Sequence, residues 1–119
     1  MNKKRVAQIS EEVRRAVSDI IRFKLKDPRI PEIISISKAE VTNDLSFAKI
    51  YYSILDNDTK KDDTQQALEN AKGFIKRELS HAIKLRIMPE LIFIYDDSLD
   101  INLKINKLIK EVKNANRED

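Results

Sequence analysis

The sequence predicts a mixed α+β fold, a three-stranded sheet with helices packed on one face. Three observations carry this. Apolar residues recur at steps of three and four from Val6 to Leu25, and again from Leu68 to Ile83, which is the period of a helix with one buried face. Between these stretches, residues 33–42 and 46–54 alternate apolar and polar about Thr42-Asn43-Asp44-Leu45, the pattern of a hairpin. A compact apolar run from Leu91 to Tyr95 then follows Pro89 as a third strand. A hairpin joined by a helical crossover to a third strand gives a small sheet with its helices on one side.

Taken in order, Lys3-Lys4-Arg5 opens a helix whose buried stripe is Val6, Ile9, Val13, Val17, Ile20, Ile21 and Leu25. Lys26-Asp27-Pro28-Arg29 ends it, because the residue before a proline is pushed out of the α region. In the first strand the apolar phase is Ile34 and Ile36, then Ala39 and Val41. The step from Ile36 to Ala39 breaks strict alternation and calls for a β-bulge near Ser37–Lys38. Asn43 is the residue expected to take the positive φ of the turn. The second strand points Ala48, Ile50, Tyr52 and Ile54 inward and Phe47, Lys49, Tyr51 and Ser53 outward. A polar loop, 55–63, leads to a helix N-cap at Asp63 or Thr64.

The central helix shows Leu68, Ala71, Ile75, Leu79, Ala82 and Ile83 on one face. Gly73, the single glycine of the chain, sits in its middle. A mid-helix glycine costs about 1 kcal/mol relative to alanine, so a break is the favoured reading, one helix ending near Ala71 and another starting at Gly73 or Phe74. A continuous helix that tolerates the glycine is the alternative. The third strand, five apolar or aromatic residues in succession, is expected to be covered on much of both faces. Asp96-Asp97-Ser98 then caps a last helix with Ile101, Ile105, Leu108, Ile109 and Val112 on one side. The order is α-β-β-α-(kink)-α-β followed by that extra C-terminal helix. Residues 1–114 make one domain, and 115–119 a frayed tail.

Composition narrows the function. No cysteine is present, which removes disulfides, thiolate metal sites and cysteine nucleophiles. His81 is the only histidine and reads as a surface or packing residue rather than a catalyst. Asp96, Asp97 and Asp100 are explained more cheaply by helix capping than by a cation. One glycine cannot build a phosphate loop. The chain is therefore expected to be a non-enzyme that needs no cofactor or metal and takes no small-molecule substrate. The apolar positions near the start are spaced for a helix face rather than run together as in a signal peptide, and no apolar run approaches a membrane span, so the chain is expected to be cytoplasmic, with no membrane partner.

The positive signal is charge. The net charge of +3 hides two basic segments: residues 1–30 carry nine Lys/Arg against four Asp/Glu, and 64–88 carry five against two. Lys72, Lys76, Arg77, Lys84 and Arg86 flank the apolar face of the central helix, with Arg14, Arg15, Arg22 and Arg29 as a second patch. In the KH module two helices meet at a joint that clamps a nucleic-acid backbone, and α-β-β-α-α-β is that module's second topological type. Such cations point to RNA phosphates. A basic protein-interaction module with an acidic partner is the alternative.

Several stretches then carry a resemblance. Arg5-Val6-Ala7, Leu25-Lys26-Asp27-Pro28-Arg29-Ile30, the run from Val41 to Ser53, Ala71-Lys72-Gly73-Phe74-Ile75-Lys76-Arg77-Glu78-Leu79 and Leu85-Arg86-Ile87-Met88-Pro89-Glu90-Leu91 fall in one unbroken order. Over about residues 5–100 the chain resembles the bacterial ribosome-binding factor A family. Residues 99–119 match less closely. The resemblance implies a KH type II-like fold in which an Ala-x-Gly kink, here Ala71 to Gly73, replaces the usual Gly-x-x-Gly loop. It further implies a non-enzymatic assembly factor, and the chain is expected to be a monomer. Such a factor binds the free small (30S) ribosomal subunit and its 16S rRNA, assists late maturation and rRNA processing, and matters most in the cold.

Overall fold

A computed structural model of the chain describes residues 2–31, 34–54, 61–98 and 105–112. These form α1 (Lys3–Phe23), β1 (Ile34–Val41), β2 (Phe47–Ile54), α2 (Lys61–Asn70), α3 (Lys72–Ala82) and β3 (Glu90–Tyr95), with a further helix, α4, over 105–112. The fold is α+β, in the element order of the second KH type.

Asn2 caps α1, its Oδ1 accepting the Arg5 amide at 2.9 Å and satisfying one of the unpaired donors of the first turn. The stripe from Val6 to Ile21 is buried. The helix stops at Phe23, short of the Asp27-Pro28 break that the sequence suggests. The amides of Lys24 and Leu25 both donate to the Ile20 carbonyl, at 2.9 and 3.0 Å, and close the end there. Leu25 still packs against the core.

β1 and β2 pair antiparallel, and their register shifts between Ile36 and Lys38, where the spacing of apolar residues places the bulge. The turn corrects one expectation, since Leu45 rather than Asn43 has the positive φ, 61°. Asp44 Oδ1 accepts both the Thr42 hydroxyl at 2.9 Å and the Ser46 amide at 3.0 Å, so side chains shape the bend ahead of Leu45. Leu45 is buried, and that burial offsets the roughly 1–2 kcal/mol cost of the left-handed conformation. Ser53, read as outward, is buried.

β3 lies parallel to β2, and the strand order is β1-β2-β3. Val13 and Val17 of α1, Ala48, Ile50 and Tyr52 of β2, Leu68 of α2, and Ile75 and Leu79 of α3 are fully buried in one core. The Tyr52 hydroxyl donates to Gln65 Oε1, and Gln65 Nε2 donates to the Phe93 carbonyl at 3.0 Å, tying α2 to the middle of the sheet. Among the described residues β3 is covered mainly on one face, with Ile94 half-buried on the other. Leu91 and Phe93 are buried while Ile92 is exposed, because every helix packed on the sheet lies on the same side. Among the described residues, no helix is long and apolar enough to cross a membrane.

The central helical stretch is broken, two residues before the glycine. Ala71, at φ −89° and ψ 0°, separates α2 from α3, and Gly73 is the second residue of α3 with a negative φ. Ala71 still donates to Ala67 at 3.0 Å and accepts from Ile75 at 2.9 Å, but α3 starts anew at Lys72. A straight helix from Lys61 to Ala82 would run about 33 Å, beyond the ~27 Å of an eight-residue strand. The bend keeps both halves on the sheet. It also corrects Ala82, which is exposed, while Ala67 is buried. α2 begins at Lys61, so Asp62 and Asp63 lie in its first turn rather than capping it. Ile105, Leu108, Ile109 and Val112 share a face of α4 and are exposed. Ile101, Asp100, the loop 55–60 and residues 113–119 lie outside the described residues.

Candidate nucleic-acid interface

The joint at Ala71 has the elements of an anion site. The first amides of α3, at Lys72, Gly73 and Phe74, lack the i−4 partners a continuous helix would supply, and unpaired amides at the positive end of a helix favour phosphate. Gly73 is exposed, and a Cβ built there would meet nothing within 4 Å, so the surface at this point is open. The two lysines beside it are already engaged. Lys72 Nζ lies 2.7 Å from Glu69, and Lys76 forms an ion pair with Glu90 at the start of β3. Both lysine side chains are about one-third exposed, 31% and 33%.

The same distinction divides the remaining cations. Arg14 and Arg15 both reach Glu11, at 2.6 and 3.2 Å, and these contacts hold its carboxyl at about 2, far below the usual glutamate value. Arg29 folds onto Asp27 at 2.8 Å and lowers that carboxyl too. Such pairs are exposed and each contributes little to stability, but a phosphate must displace the carboxylate to use the cation. Arg22, Arg77, Lys84 and Arg86 have no carboxylate within ion-pair distance among the described residues. Arg22 lies 5.9 Å from the Phe23 ring centroid and Arg77 5.8 Å from that of Phe74.

Three of these four lie in α3 or the loop that follows it, and the fourth lies in the last turn of α1. Those two helix ends meet. Lys24 donates to Glu78 at 3.0 Å, clasping α1 to α3 and lowering the Glu78 carboxyl. Beside the clasp runs an open groove of about 790 Å³, with Arg15, Asp19, Ile20 and Phe23 on one wall and Ile83 and Lys84 on the other. The two basic segments are thus partly one surface. Arg15 and Lys84 share the groove, while Arg22, 5.9 Å from the Phe23 ring centroid, lines a neighbouring cleft with Leu25, Asp27 and Ile34. Arg14 does not join them, facing instead Ser37, Lys38 and Glu40 of β1, and Arg29 sits in the α1–β1 connection. Lys24 and Phe23 escape a reading based on apolar stripes. Their signal is the succession Arg22-Phe23-Lys24, an aromatic residue off the buried phase between two cations.

His81 is exposed on α3. Asp96 does what a capping residue does: its Oδ1 accepts the Ser98 amide at 3.0 Å and the Ser98 hydroxyl at 2.6 Å. Its Oδ2 accepts the hydroxyl of the bulge residue Ser37 at 3.2 Å. Among the described residues, no group of three His, Cys, Asp or Glu is placed to hold a metal ion.

A three-stranded sheet in KH order, a kinked helix pair and a cationic seam between α1 and α3 define a small KH-type α+β binding module. Comparison with known proteins narrows the class. A family model described as Ribosome-binding factor A matches residues 5–109, and the chain belongs to the ribosome-binding factor A family. It is 42% identical to the ribosome-binding factor A of Clostridium tetani over 119 residues, covering 100% of this chain and 98% of that relative. It is 48% identical to that of Staphylococcus carnosus over 112 residues, 94% of this chain and 96% of the relative. The solution structure of a putative ribosome binding factor A from Thermotoga maritima is similar at a TM-score of 0.71 and 25% identity, over 82% of this chain and 92% of that one. A Thermus thermophilus ribosome binding factor A homology model, fitted into a cryo-electron microscopy map of a 30S complex, shares the fold at a TM-score of 0.63 and 20% identity, over 77% and 96% of the two chains.

Proposed function

We propose that this chain is a monomeric, non-catalytic assembly factor that binds the free small ribosomal subunit through phosphates of its 16S rRNA, and assists late maturation and rRNA processing. The observation that carries the reading is where cations without carboxylate partners gather. Arg77, Lys84 and Arg86 follow one another along the end of α3 and its exit, and Arg22 lies in the last turn of α1. Family membership and the 30S complex of the Thermus thermophilus relative support the choice of partner. Phosphate contacts of this kind set position and orientation and carry no base sequence. The paired residues Lys72, Lys76, Arg14, Arg15 and Arg29 would join only where RNA displaces Glu69, Glu90, Glu11 or Asp27.

The test replaces Arg77, Lys84 and Arg86 with Glu and measures co-sedimentation with free small subunits at two salt concentrations. All three residues are exposed, so melting should be nearly unchanged. Each lost phosphate contact should lower the salt dependence of log K by about 0.7–0.9 per contact. Normal melting with unchanged affinity and salt slope would refute the reading. Equally tight, equally salt-dependent binding to an RNA-free acidic protein would favour a protein partner instead.

A further inference from the structure

The groove beside the Lys24–Glu78 clasp contains a feature that phosphate binding leaves unused. Phe23 ends α1 with 71% of its surface exposed, more than any other large apolar side chain among the described residues. It belongs to no apolar cluster. The Arg22 guanidinium, 5.9 Å from the ring centroid, covers one side of the ring. Asp19 stands one helical turn before it, at the i−4 position that shares its face. Both line the same groove, with Lys84 opposite and Arg15 at the rim. Asp19 is exposed and has neither an ion-pair nor a hydrogen-bond partner among the described residues.

Each group has a defined capability. An exposed aromatic face held among cations stacks an unpaired base, and single-stranded segments are where proteins read RNA by sequence. A carboxylate beside the stacked base only accepts hydrogen bonds. Of the four bases, guanine alone presents two adjacent donors on its Watson–Crick edge, N1–H and the N2 amino group, and these match the two oxygens of a carboxylate. Adenine, cytosine and uracil each set a lone pair next to their donor, which a carboxylate repels. Lys84 is placed for a flanking phosphate, and Arg15 for another once RNA displaces Glu11. Asp19, out of place in a plain phosphate site, thereby acquires a role, while Glu12 of the same groove takes no part.

We propose that Phe23 and Asp19 form a subsite for one unpaired guanine, Phe23 stacking on the base and Asp19 accepting from its Watson–Crick edge. This rests on the RNA-binding reading and adds base selectivity to it.

The chain has no tryptophan and three tyrosines, so F23W introduces a single tryptophan, excited selectively at long wavelength, at the stacking position. The variant is titrated with a nine-nucleotide oligouridine, with the same oligomer carrying one central G or one central A, and with the G oligomer annealed to its complement. Binding of wild type, F23A and D19N to these oligomers and to free small subunits is followed in parallel, with melting temperature as the check on folding. Tryptophan emission should be quenched by the single-stranded G oligomer and much less by its duplex. F23A should lose about tenfold in affinity for it, with an unchanged salt slope. D19N should erase the preference for G over A, read as the ratio of the two affinities, whatever the loss of its charge does to oligouridine binding. If the G oligomer saturates F23W without changing its emission, or if the G preference is absent or survives in D19N, the subsite is overturned while the phosphate-binding reading stands. If wild type binds neither subunits nor oligomers, both fall. If F23A loses subunit binding while no oligomer competes and F23W emission only shifts to the blue, Phe23 meets a protein and the guanine subsite is wrong.

Discussion

Replacing Gly73 with alanine should stabilise the fold. The sequence gives this glycine the look of a residue the kink requires, but the kink is set at Ala71, and Gly73 is a helical residue with negative φ in the first turn of α3. The added methyl would meet nothing within 4 Å, so no steric cost opposes it. What remains is the backbone freedom that glycine loses on folding, a gain of about 0.4–1 kcal/mol for a compatible Gly→Ala change. With an unfolding entropy near 2.1 cal/mol/K per residue, a gain of about 0.7 kcal/mol raises the melting temperature by roughly 3 °C in a chain of this size. Thermal unfolding of wild type and G73A, followed by far-ultraviolet circular dichroism, reads this directly. A fall of more than about 1 °C would refute the reasoning, because it would mean that α3 needs a conformation only glycine supplies. Subunit binding measured on the same two proteins asks the complementary question. A variant that is more stable and binds less would show that the missing Cβ serves a close approach by the partner.

Three further outcomes follow from the packing and the ion pairs. Tyr52 is fully buried and its hydroxyl bonds Gln65, so Tyr52→Phe should cost about 1–2 kcal/mol in urea unfolding by leaving the Gln65 oxygen without its donor. Leu79 is fully buried and Leu108 of α4 is 60% exposed. Leu79→Ala should therefore cost about 2–5 kcal/mol, whereas Leu108→Ala should stay within about 0.5 kcal/mol; equal effects would show that α4 is packed. Glu11 ionises in the folded state at about 2 against an ordinary 4.5, through its bond to Arg14. A depressed carboxyl contributes stability above its unfolded value, so the difference between wild type and Glu11→Gln should be largest near neutral pH. That difference should shrink as pH falls from about 4.5 towards 2.

How far the sequence reached is clearest element by element. The α1 stripe, the hairpin and its bulge were legible because they depend on local periodicity. The three-residue step from Ile36 to Ala39 demands an extra residue wherever one face of a strand is buried, and the register shifts there. Where one stretch of chain met another, local signals were incomplete. A five-residue apolar run suggested a strand covered on both faces, yet Ile92 is exposed because all the packed helices chose one side. Asn43 has the higher intrinsic tolerance for positive φ, yet Leu45 takes it because its side chain has a core to enter.

The candidate interface divides in the same way. The sequence by itself determined which residues are cationic and that they fall in two segments, since charge is a property of residue type. Only the tertiary structure decided which cations are available. Glu90, far along the chain from Lys76, pairs with it because β3 returns beside α3, and Lys24 meets Glu78 because α1 packs against that helix. Ion pairs reach only about 4 Å, and separation along the chain says nothing about such distances. The seam that brings Arg15, Phe23 and Lys84 into one groove therefore exists only once α1 and α3 have buried Val17, Ile20, Ile75 and Leu79 in a common core.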